Sequence, residues 1–381
     1  MNQTRQTFLN SARRIVVKAG SGVLTGERGL NETTIKSISK DISALMDRGL
    51  EIIYVTSGAM AAGEKKLGLA KRPSELPKRQ AVAATGQAGL IMEYENAFAR
   101  FGRQVAQILL TSDDLTNRKR YLNARNTINT LLAWQVLPII NENDTVATEE
   151  IKLGDNDNLS AMITLLMDAD ILINLTDTDG LYDRDPRKDT GARLLDHVSA
   201  ITPKMEQAAG DIPGPLGRGG MLSKVRAAKK VMAAGVPMII ANGRKNDILT
   251  RLFSGVETGT FFEPRTRKMC GKKRWIAFSV KARGEITIDD GAAGAVTGRG
   301  KSLLASGITA VSGEFTEGAP VVIKNSTGAV IATGLVNYSA DDIRAIMGLK
   351  SSQIEKKLGH KSYDEVIHRD NLVVADTDTC A

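Results

Sequence analysis

The sequence is poor in the residues on which disulfide frameworks and metal clusters depend. Its 381 residues include only two cysteines, Cys270 and Cys380, and three histidines. Two cysteines provide neither a disulfide framework nor a paired metal motif, so we expect a reducing, cytoplasmic environment. No apolar run reaches the roughly 18 residues of a membrane span. The first residues, MNQTRQTFLNSARR, also lack the apolar core of a signal peptide.

Aromatic residues are scarce as well, at 4% of the chain, whereas the net charge at pH 7 is +8. An excess of positive charge is compatible with nucleic-acid binding. However, residues 271–381 are nearly neutral, so the excess lies in the N-terminal two-thirds of the chain. A polyanionic small molecule would explain a distributed excess equally well, and charge alone does not choose between these partners.

Short β-branched segments alternate with helical patterns up to about residue 260. The predicted strands lie in RIVVK, EIIYVT, RQVAQILL, QVLPII, ILINLT and PMIIA, and the predicted helices near 32–48, 78–100 and 117–133. Continuous apolar strands separated by helices are typical of a parallel sheet covered on both faces. We therefore predict a three-layer α/β/α sandwich with a mainly parallel sheet, which binds ligands at the carboxyl ends of its strands.

The pattern changes after residue 262. A basic, apolar-poor stretch at 263–274 reads as a linker between a first domain at 1–262 and a second at 275–374. Short strands with glycine-rich turns, and short helices near 289–297 and 339–347, predict a small mixed-β second domain. Residues 375–381 are expected to form a disordered tail.

Four loops, three after predicted strands and one opening a helix, carry residues suited to binding phosphate. Lys18 ends the first strand before a Gly-Ser-Gly turn, and Ser57 stands at a strand–helix junction. Thr176 and Asp177 follow a third strand, and a glycine-rich turn opens a helix that carries Lys224. Each loop alone could be an ordinary turn. Because a parallel sheet gathers such ends, the four together favour a phosphate site of lysine charges and loop N–H groups.

The run DTVATEEIKLGDNDNLSA at 144–161 gathers acids and amides. A calcium loop, a helix N-terminus and a substrate pocket are the candidate interpretations. The calcium interpretation fails because DNDN is not followed by the required glycine and glutamate of an EF-hand. A helix N-cap and a binding role are compatible with each other, and both stay open.

Two further motif fragments are rejected. GRGKS at 298–302 ends like a P-loop, but Ala295 stands where the first glycine is required. HRD at 368–370 resembles a protein-kinase catalytic loop, but Ala375 stands at the position of its asparagine.

The ordered motifs resemble the glutamate-phosphorylating branch of the amino acid kinase family. They are KAGSGVLT, VTSGAMAAG, NENDTVAT, GDNDNLSA, LTDTDGLY and GRGGMLSK. The stretch from KRWIAF to GEITIDDGA is similar to the PUA domain appended to such kinases, and the likeness runs from about Arg14 to Val374. It implies transfer of the γ-phosphoryl group of ATP to the side-chain carboxylate of L-glutamate. The product would be L-glutamyl 5-phosphate, the first intermediate of proline synthesis.

The resemblance also implies roles for individual residues. Lys18 and Lys224 would contact the transferring phosphoryl group, and Asp157 would orient both lysines. The glutamate-binding residues would be Ser57, Asp144 and Asn156. The ATP-binding residues would be Lys18, Gly20, Thr176, Asp177, Arg218, Gly219, Gly220, Met221, Leu222, Ser223 and Lys224. Arg218 is a departure, since the family usually has threonine there; it could contact phosphate or point into solvent. The family uses Mg²⁺ with ATP, usually forms homo-oligomers (a dimer or tetramer), and is commonly inhibited by proline.

These residue types suit the implied reaction. A glutamate side chain has a pKa of about 4.3, so the nucleophile is already ionised at pH 7 and needs no general base. The protein must instead position the reactants and neutralise a dispersed charge, which lysines, Mg²⁺ and loop N–H groups can do. The acid and amide cluster suits the α-ammonium group of glutamate, because a buried cation needs an anionic or carbonyl partner.

Two alternatives remain. One is a sister kinase of the same family that acts on acetylglutamate, aspartate, carbamate or uridylate, against which VTSGA, NEND and the PUA-like tail argue. The other is RNA binding through the PUA-like domain, whose near-neutral charge and few aromatics lack the expected electrostatic footprint. We expect neither a nucleic-acid nor a membrane partner.

Overall fold

The computed structural model describes residues 3–26, 29–146, 156–210, 220–264, 276, 282–361 and 363–375. The chain divides into two compact units, Met1–Lys268 and Met269–Ala381. The division falls within the expected linker, most of which lies outside the described residues, as does the expected tail from residue 376. Among the described residues, no helix is long and apolar enough to cross a membrane.

The first unit alternates strands and helices along the chain. Its strands are β1 (Arg14–Ala19), β2 (Thr25–Gly26), β3 (Gly29–Leu30), β4 (Glu51–Val55), β5 (Val105–Leu110), β6 (Leu137–Glu142), β7 (Ile171–Thr176), β8 (His197–Val198), β9 (Met238–Asn242) and β10 (Thr260–Phe262). Its helices are α1 (Gln3–Ser11), α2 (Ser21–Leu24), α3 (Glu32–Asp47), α4 (Ala59–Lys66), α5 (Leu76–Ala99), α6 (Ser112–Thr116), α7 (Arg118–Ala133), α8 (Asn156–Leu166), α9 (Pro203–Gly210), α10 (Met221–Ala233) and α11 (Ile248–Phe253).

Eight of these strands form one sheet in the order β5-β6-β4-β1-β7-β9-β10-β8. Strands β5, β6, β4, β1, β7 and β9 pair in parallel, whereas β10 pairs antiparallel with β9 and parallel with β8. The predicted, mainly parallel sheet is therefore confirmed. Its two-strand antiparallel edge is a feature that the sequence pattern does not predict.

Helices cover both faces of the sheet, because the central strands are apolar on both sides. On one face, Ile15 and Val17 of β1 join a core with Ile38 of α3, Tyr94 of α5 and Leu249 of α11. On the other face, α8 lies over β1, β4, β6 and β7 and packs against α10. This arrangement confirms the three-layer sandwich.

The strand order reverses at β1, since β4 lies on one side of it and β7 on the other. In parallel sheets the crevice at such a switch point, beyond the carboxyl ends of the strands, is the usual ligand site. Lys18 is the penultimate residue of β1 and is 3% exposed at this point.

Two glycines allow α4, which follows the loop after β4, to pack closely on α5. Gly58 caps α4 with φ of 111°, a left-handed conformation that favours glycine. A Cβ atom on Gly86 of α5 would lie 1.9 Å from the carbonyl oxygen of Ala59, so α4 and α5 can approach this closely only at a glycine. The start of α4, just after Ser57, is thereby held against α5.

The second unit has its own core and a five-stranded sheet in the order β12-β11-β13-β14-β15. Strands β11 and β13 pair in parallel and the other neighbours antiparallel, which confirms a mixed-β domain. Its elements are β11 (Gly284–Ile288), α12 (Asp290–Arg299), β12 (Ile308–Gly313), β13 (Pro320–Lys324), β14 (Val330–Leu335), α13 (Ala340–Ile346), α14 (Ile354–Leu358) and β15 (Leu372–Val374). Asp289 and Ser339 cap α12 and α13 with their side chains, as such residues do at helix starts.

Candidate active site

The predicted site residues that the structure describes lie near the carboxyl edge of the parallel strands. Lys18 comes from β1, Ser57 follows β4, Asp144 follows β6, and Thr176 ends β7. Helix α8 begins at Asn156 and extends over these strands. Residues far apart in sequence are thus brought to one crevice by the register of the sheet.

Asp157 lies at the centre of this crevice, in the first turn of α8, and is 1% exposed. Its Oδ1 atom accepts hydrogen bonds from Nζ of Lys18 at 2.6 Å and from Nδ2 of Asn174 at 2.7 Å. Its Oδ2 atom lies 2.5 Å from Oγ of Ser223 and 3.3 Å from Nζ of Lys224. One buried carboxylate therefore links β1, β7 and α10.

The two lysines determine the ionisation of this carboxylate. Burial alone would raise the pKa of Asp157, but the ammonium groups of Lys18 and Lys224 and the hydrogen bonds hold the pKa well below its usual range. Because each oxygen already accepts two hydrogen bonds, Asp157 is suited to orienting cations rather than accepting a proton. Two cations against one anion leave a net positive charge for a phosphoryl group.

Asn156, which precedes Asp157, turns toward β4 and β6. Its Nδ2 atom lies 2.8 Å from the backbone oxygen of Thr56, 2.9 Å from Oγ of Ser57 and 3.1 Å from Oδ1 of Asn141. Its Oδ1 atom is buried and has no hydrogen-bond partner among the described residues. A buried carbonyl oxygen without a donor is a place for a ligand N–H group.

Asp144 follows β6 and is half-buried. Burial raises the pKa of its carboxyl group to about 6. Among the described residues no cation offsets this burial, so the carboxylate is suited to a positively charged ligand. Residues 147–155 of the acidic run lie outside the described residues.

The loops beside β7 and α10 form the other side of the crevice. The hydroxyl group of Thr176 donates to Oδ1 of Asp177 at 3.2 Å, and the backbone N–H of Gly20 donates to the oxygen of Leu175. A Cβ atom on Gly20 would lie 3.2 Å from Nζ of Lys18, so glycine keeps this loop close to the ammonium group.

The start of α10 faces the same crevice. Gly220 is its N-cap, Met221 is buried, Leu222 and Ser223 are half-buried, and Lys224 is 5% exposed. The first N–H groups of a helix have no partner within the helix and attract anions. Arg218 and Gly219, which are also predicted to bind ATP, lie outside the described residues.

Comparison with known proteins agrees with this architecture. Residues 13–242, more than half of the chain, match the family model described as "Amino acid kinase family". The chain belongs to the amino acid kinase family. Residues 284–358 of this kinase match the PUA domain, so both halves of the expected organisation have family matches.

Several curated relatives of this amino acid kinase match it over nearly their whole length. A protein described as glutamate 5-kinase from Syntrophus aciditrophicus is 50% identical over 374 residues, 98% of this chain and 97% of that protein. Proteins with the same description from Syntrophotalea carbinolica and Geobacter sulfurreducens are 49% and 50% identical, each over 97% of this chain. The matches cover 99% of the Syntrophotalea protein and 100% of the Geobacter protein.

Sequence reasoning missed three polar residues of the kinase site. Asn174 is fully buried and donates to Asp157, and Asn141 is 2% exposed and contacts Asn156. Gln87 on α5 accepts a hydrogen bond from Nδ2 of Asn141 at 2.7 Å. Asn174 could have been found as the one amide inside the apolar run ILINLT, and Asn141 as the first amide of NEN. Nothing in the sequence around Gln87 distinguishes it.

Proposed function

We propose that this amino acid kinase phosphorylates the side-chain carboxylate of L-glutamate, as the names of its relatives indicate for those proteins. A γ-carboxylate oxygen attacks the γ-phosphorus of ATP, the bond to the bridging oxygen breaks, and ADP leaves. The product is L-glutamyl 5-phosphate, and the reaction is the first step of proline synthesis. The observation that carries the proposal is the Asp157-centred lysine pair, set between an acid and amide pocket and the glycine-rich loops.

Lys18 and Lys224 stabilise the transferring phosphoryl group. Charge in such a transition state spreads over the phosphoryl oxygens, and fixed donors in a dry site stabilise it without reorganising. Both lysines are nearly buried, and Asp157 holds their ammonium groups on its two separate oxygens. Asp157 thus fixes the spacing of the lysines and lowers the cost of burying two like charges.

Glutamate binds on the β4 and β6 side. The free Oδ1 atom of Asn156 and the carboxylate of Asp144 receive its α-ammonium group, and Ser57 offers a hydroxyl group. Ammonium groups donate only, so a pocket of acceptors fits them. The γ-carboxylate then points toward Lys18 and the phosphoryl group.

ATP binds on the β7 and α10 side. Its site consists of Lys18, Gly20, Thr176, Asp177, residues 218–223 and Lys224. Mg²⁺ would enter as the complex with ATP. Mg²⁺ prefers oxygen ligands, and when bound with ATP it would supply neutralisation of phosphate charge during transfer.

We extend the proposal to regulation and assembly. Proline carries a secondary ammonium group and an α-carboxylate, so it can occupy the acceptor pocket and inhibit by competing with glutamate. Edge strand β5 keeps Val105 and Ile108 only half-buried, and an apolar sheet edge is suited to contact with a second copy in a dimer or tetramer. The low cysteine content supports a cytoplasmic location.

The test is acceptor-dependent ADP release by the full chain with MgATP. Glutamate, aspartate, N-acetylglutamate and carbamate are compared, with hydroxylamine added to trap any acyl phosphate as a hydroxamate. We expect ADP and hydroxamate to form only when glutamate is the acceptor, and we expect added proline to suppress the formation of both. Turnover with another acceptor and not with glutamate would refute the proposal.

A further inference from the structure

A chain of three amides runs from helix α5 to the glutamate side of the crevice. Gln87 accepts through Oε1 from Nδ2 of Asn141 at 2.7 Å, and Asn141 accepts through Oδ1 from Nδ2 of Asn156 at 3.1 Å. Asn141 and Asn156 are 2% and 5% exposed, whereas Gln87 is half-buried. Each amide has an acceptor end and a donor end, so such a chain has a direction.

At the inner end of the chain of amides, a backbone oxygen favours the same direction. The oxygen of Thr56 can only accept, and it lies 2.8 Å from Nδ2 of Asn156. The amide nitrogen of Asn156 therefore faces β4, and among the described residues its Oδ1 atom has no partner. Asn141 supports this orientation only while its own oxygen faces Asn156, which requires its nitrogen to face Gln87.

We infer that Gln87 is a specificity-determining residue that keeps Asn156 presenting an acceptor to the substrate. Through Asn141, the Oε1 acceptor of Gln87 holds the whole chain in the direction that suits the α-ammonium group of glutamate. This inference rests on the proposed function. Gln87 acts on the substrate only through Asn141 and Asn156. It is therefore a positioning residue and takes no part in phosphoryl transfer.

Gln87→Met removes the acceptor at similar side-chain volume. The buried donor of Asn141 then loses its partner, which favours rotation of that amide and places two donors face to face at Asn156. We expect KM for glutamate to rise about tenfold, while kcat and KM for ATP stay within about twofold. Gln87→Glu presents acceptors only, so it should restore KM for glutamate to the wild-type range or below.

Glutarate separates this role from general loosening of the pocket, because it is the same diacid without the α-ammonium group. Its inhibition constant against glutamate should change by less than about twofold in Gln87→Met. Glu95→Gln, on the exposed part of α5, is the matched control for a change on this helix. Thermal unfolding of each variant shows that the folded protein is being compared.

The outcomes separate the inference from the proposed function. If wild type forms no glutamate-dependent hydroxamate, the proposed function is wrong and the inference falls with it. If wild type is active, three results overturn the inference alone: an unchanged KM for glutamate in Gln87→Met, an equal weakening of glutarate, or a failure of Gln87→Glu to restore KM. A raised KM for glutamate alone, restored by Gln87→Glu, supports it.

Discussion

Replacement of Asp144 by asparagine should make the free protein more stable and its binding of glutamate weaker. Burial raises the pKa of Asp144 from its ordinary value of 3.8 to about 6. Two pKa units correspond to about 3 kcal/mol of preference for the neutral form. Because the side chain is half-buried and partly screened by solvent, we expect about 1–2 kcal/mol of this to appear as lost stability above pH 7.

The sign of the pH dependence follows from the direction of the shift. A raised folded-state pKa favours folding below the unfolded value of about 3.8, and this contribution is lost as the pH rises through about 6. The melting temperature of Asp144→Asn should therefore exceed that of wild type by several degrees near pH 8, roughly 2–4 °C per kcal/mol. The difference should shrink toward pH 4.5.

The assay is differential scanning fluorimetry of both proteins from about pH 4.5 to pH 8, without ligand. Steady-state kinetics supply the second readout. In wild type, kcat/KM for glutamate should fall below about pH 6 as Asp144 takes up a proton, whereas Asp144→Asn should have a raised KM and no such inflection. A melting-temperature difference that is the same at both pH limits would refute the assigned pKa.

The other predictions concern the lysine pair and the packing beneath Ser57. Lys18→Met should lower kcat by about 100-fold or more in folded protein, with Lys36→Met in an exposed pair of α3 as the control; unchanged turnover would remove Lys18 from the mechanism. Asp157→Asn should cost about 3 kcal/mol or more in urea unfolding, since two buried ammonium groups lose their counter-charge; wild-type stability would contradict this. Gly86→Ala should lower the melting temperature because its methyl group meets the backbone of α4, whereas Gly89→Ala meets no atom within 4 Å; equal effects would contradict the packing argument.

The sequence predicts the parallel sheet well because β1, β6 and β7 are mostly apolar and almost entirely buried, and each is followed by a polar or glycine-rich loop. The antiparallel edge escapes prediction because β10 has only three residues, all buried, and carries no periodicity. Helix α1 escapes as well, since it is short and contributes few apolar residues to the core, chiefly Leu9 with the partly buried Phe8.

The candidate site, like the fold, can be predicted from the sequence only in part. Residues at strand ends, such as Lys18 and Thr176, can be found in the sequence because turn-forming residues mark where strands end. The partners of a buried polar group are not visible: Gln87 lies 54 residues from Asn141, and Asn174 lies 17 residues from Asp157. Hydrogen-bond direction depends on such tertiary pairs, so the structure is needed to show which atom each amide presents.

The most direct test of the central claim is the stoichiometry of trapped product in a single assay. Full-length protein is mixed with MgATP, L-glutamate and hydroxylamine, and ADP and glutamyl hydroxamate are measured in the same samples. Phosphorylation of the γ-carboxylate predicts that the two products accumulate in a one-to-one ratio and that neither forms without glutamate. ADP release without hydroxamate, or at a rate independent of glutamate, would contradict the account.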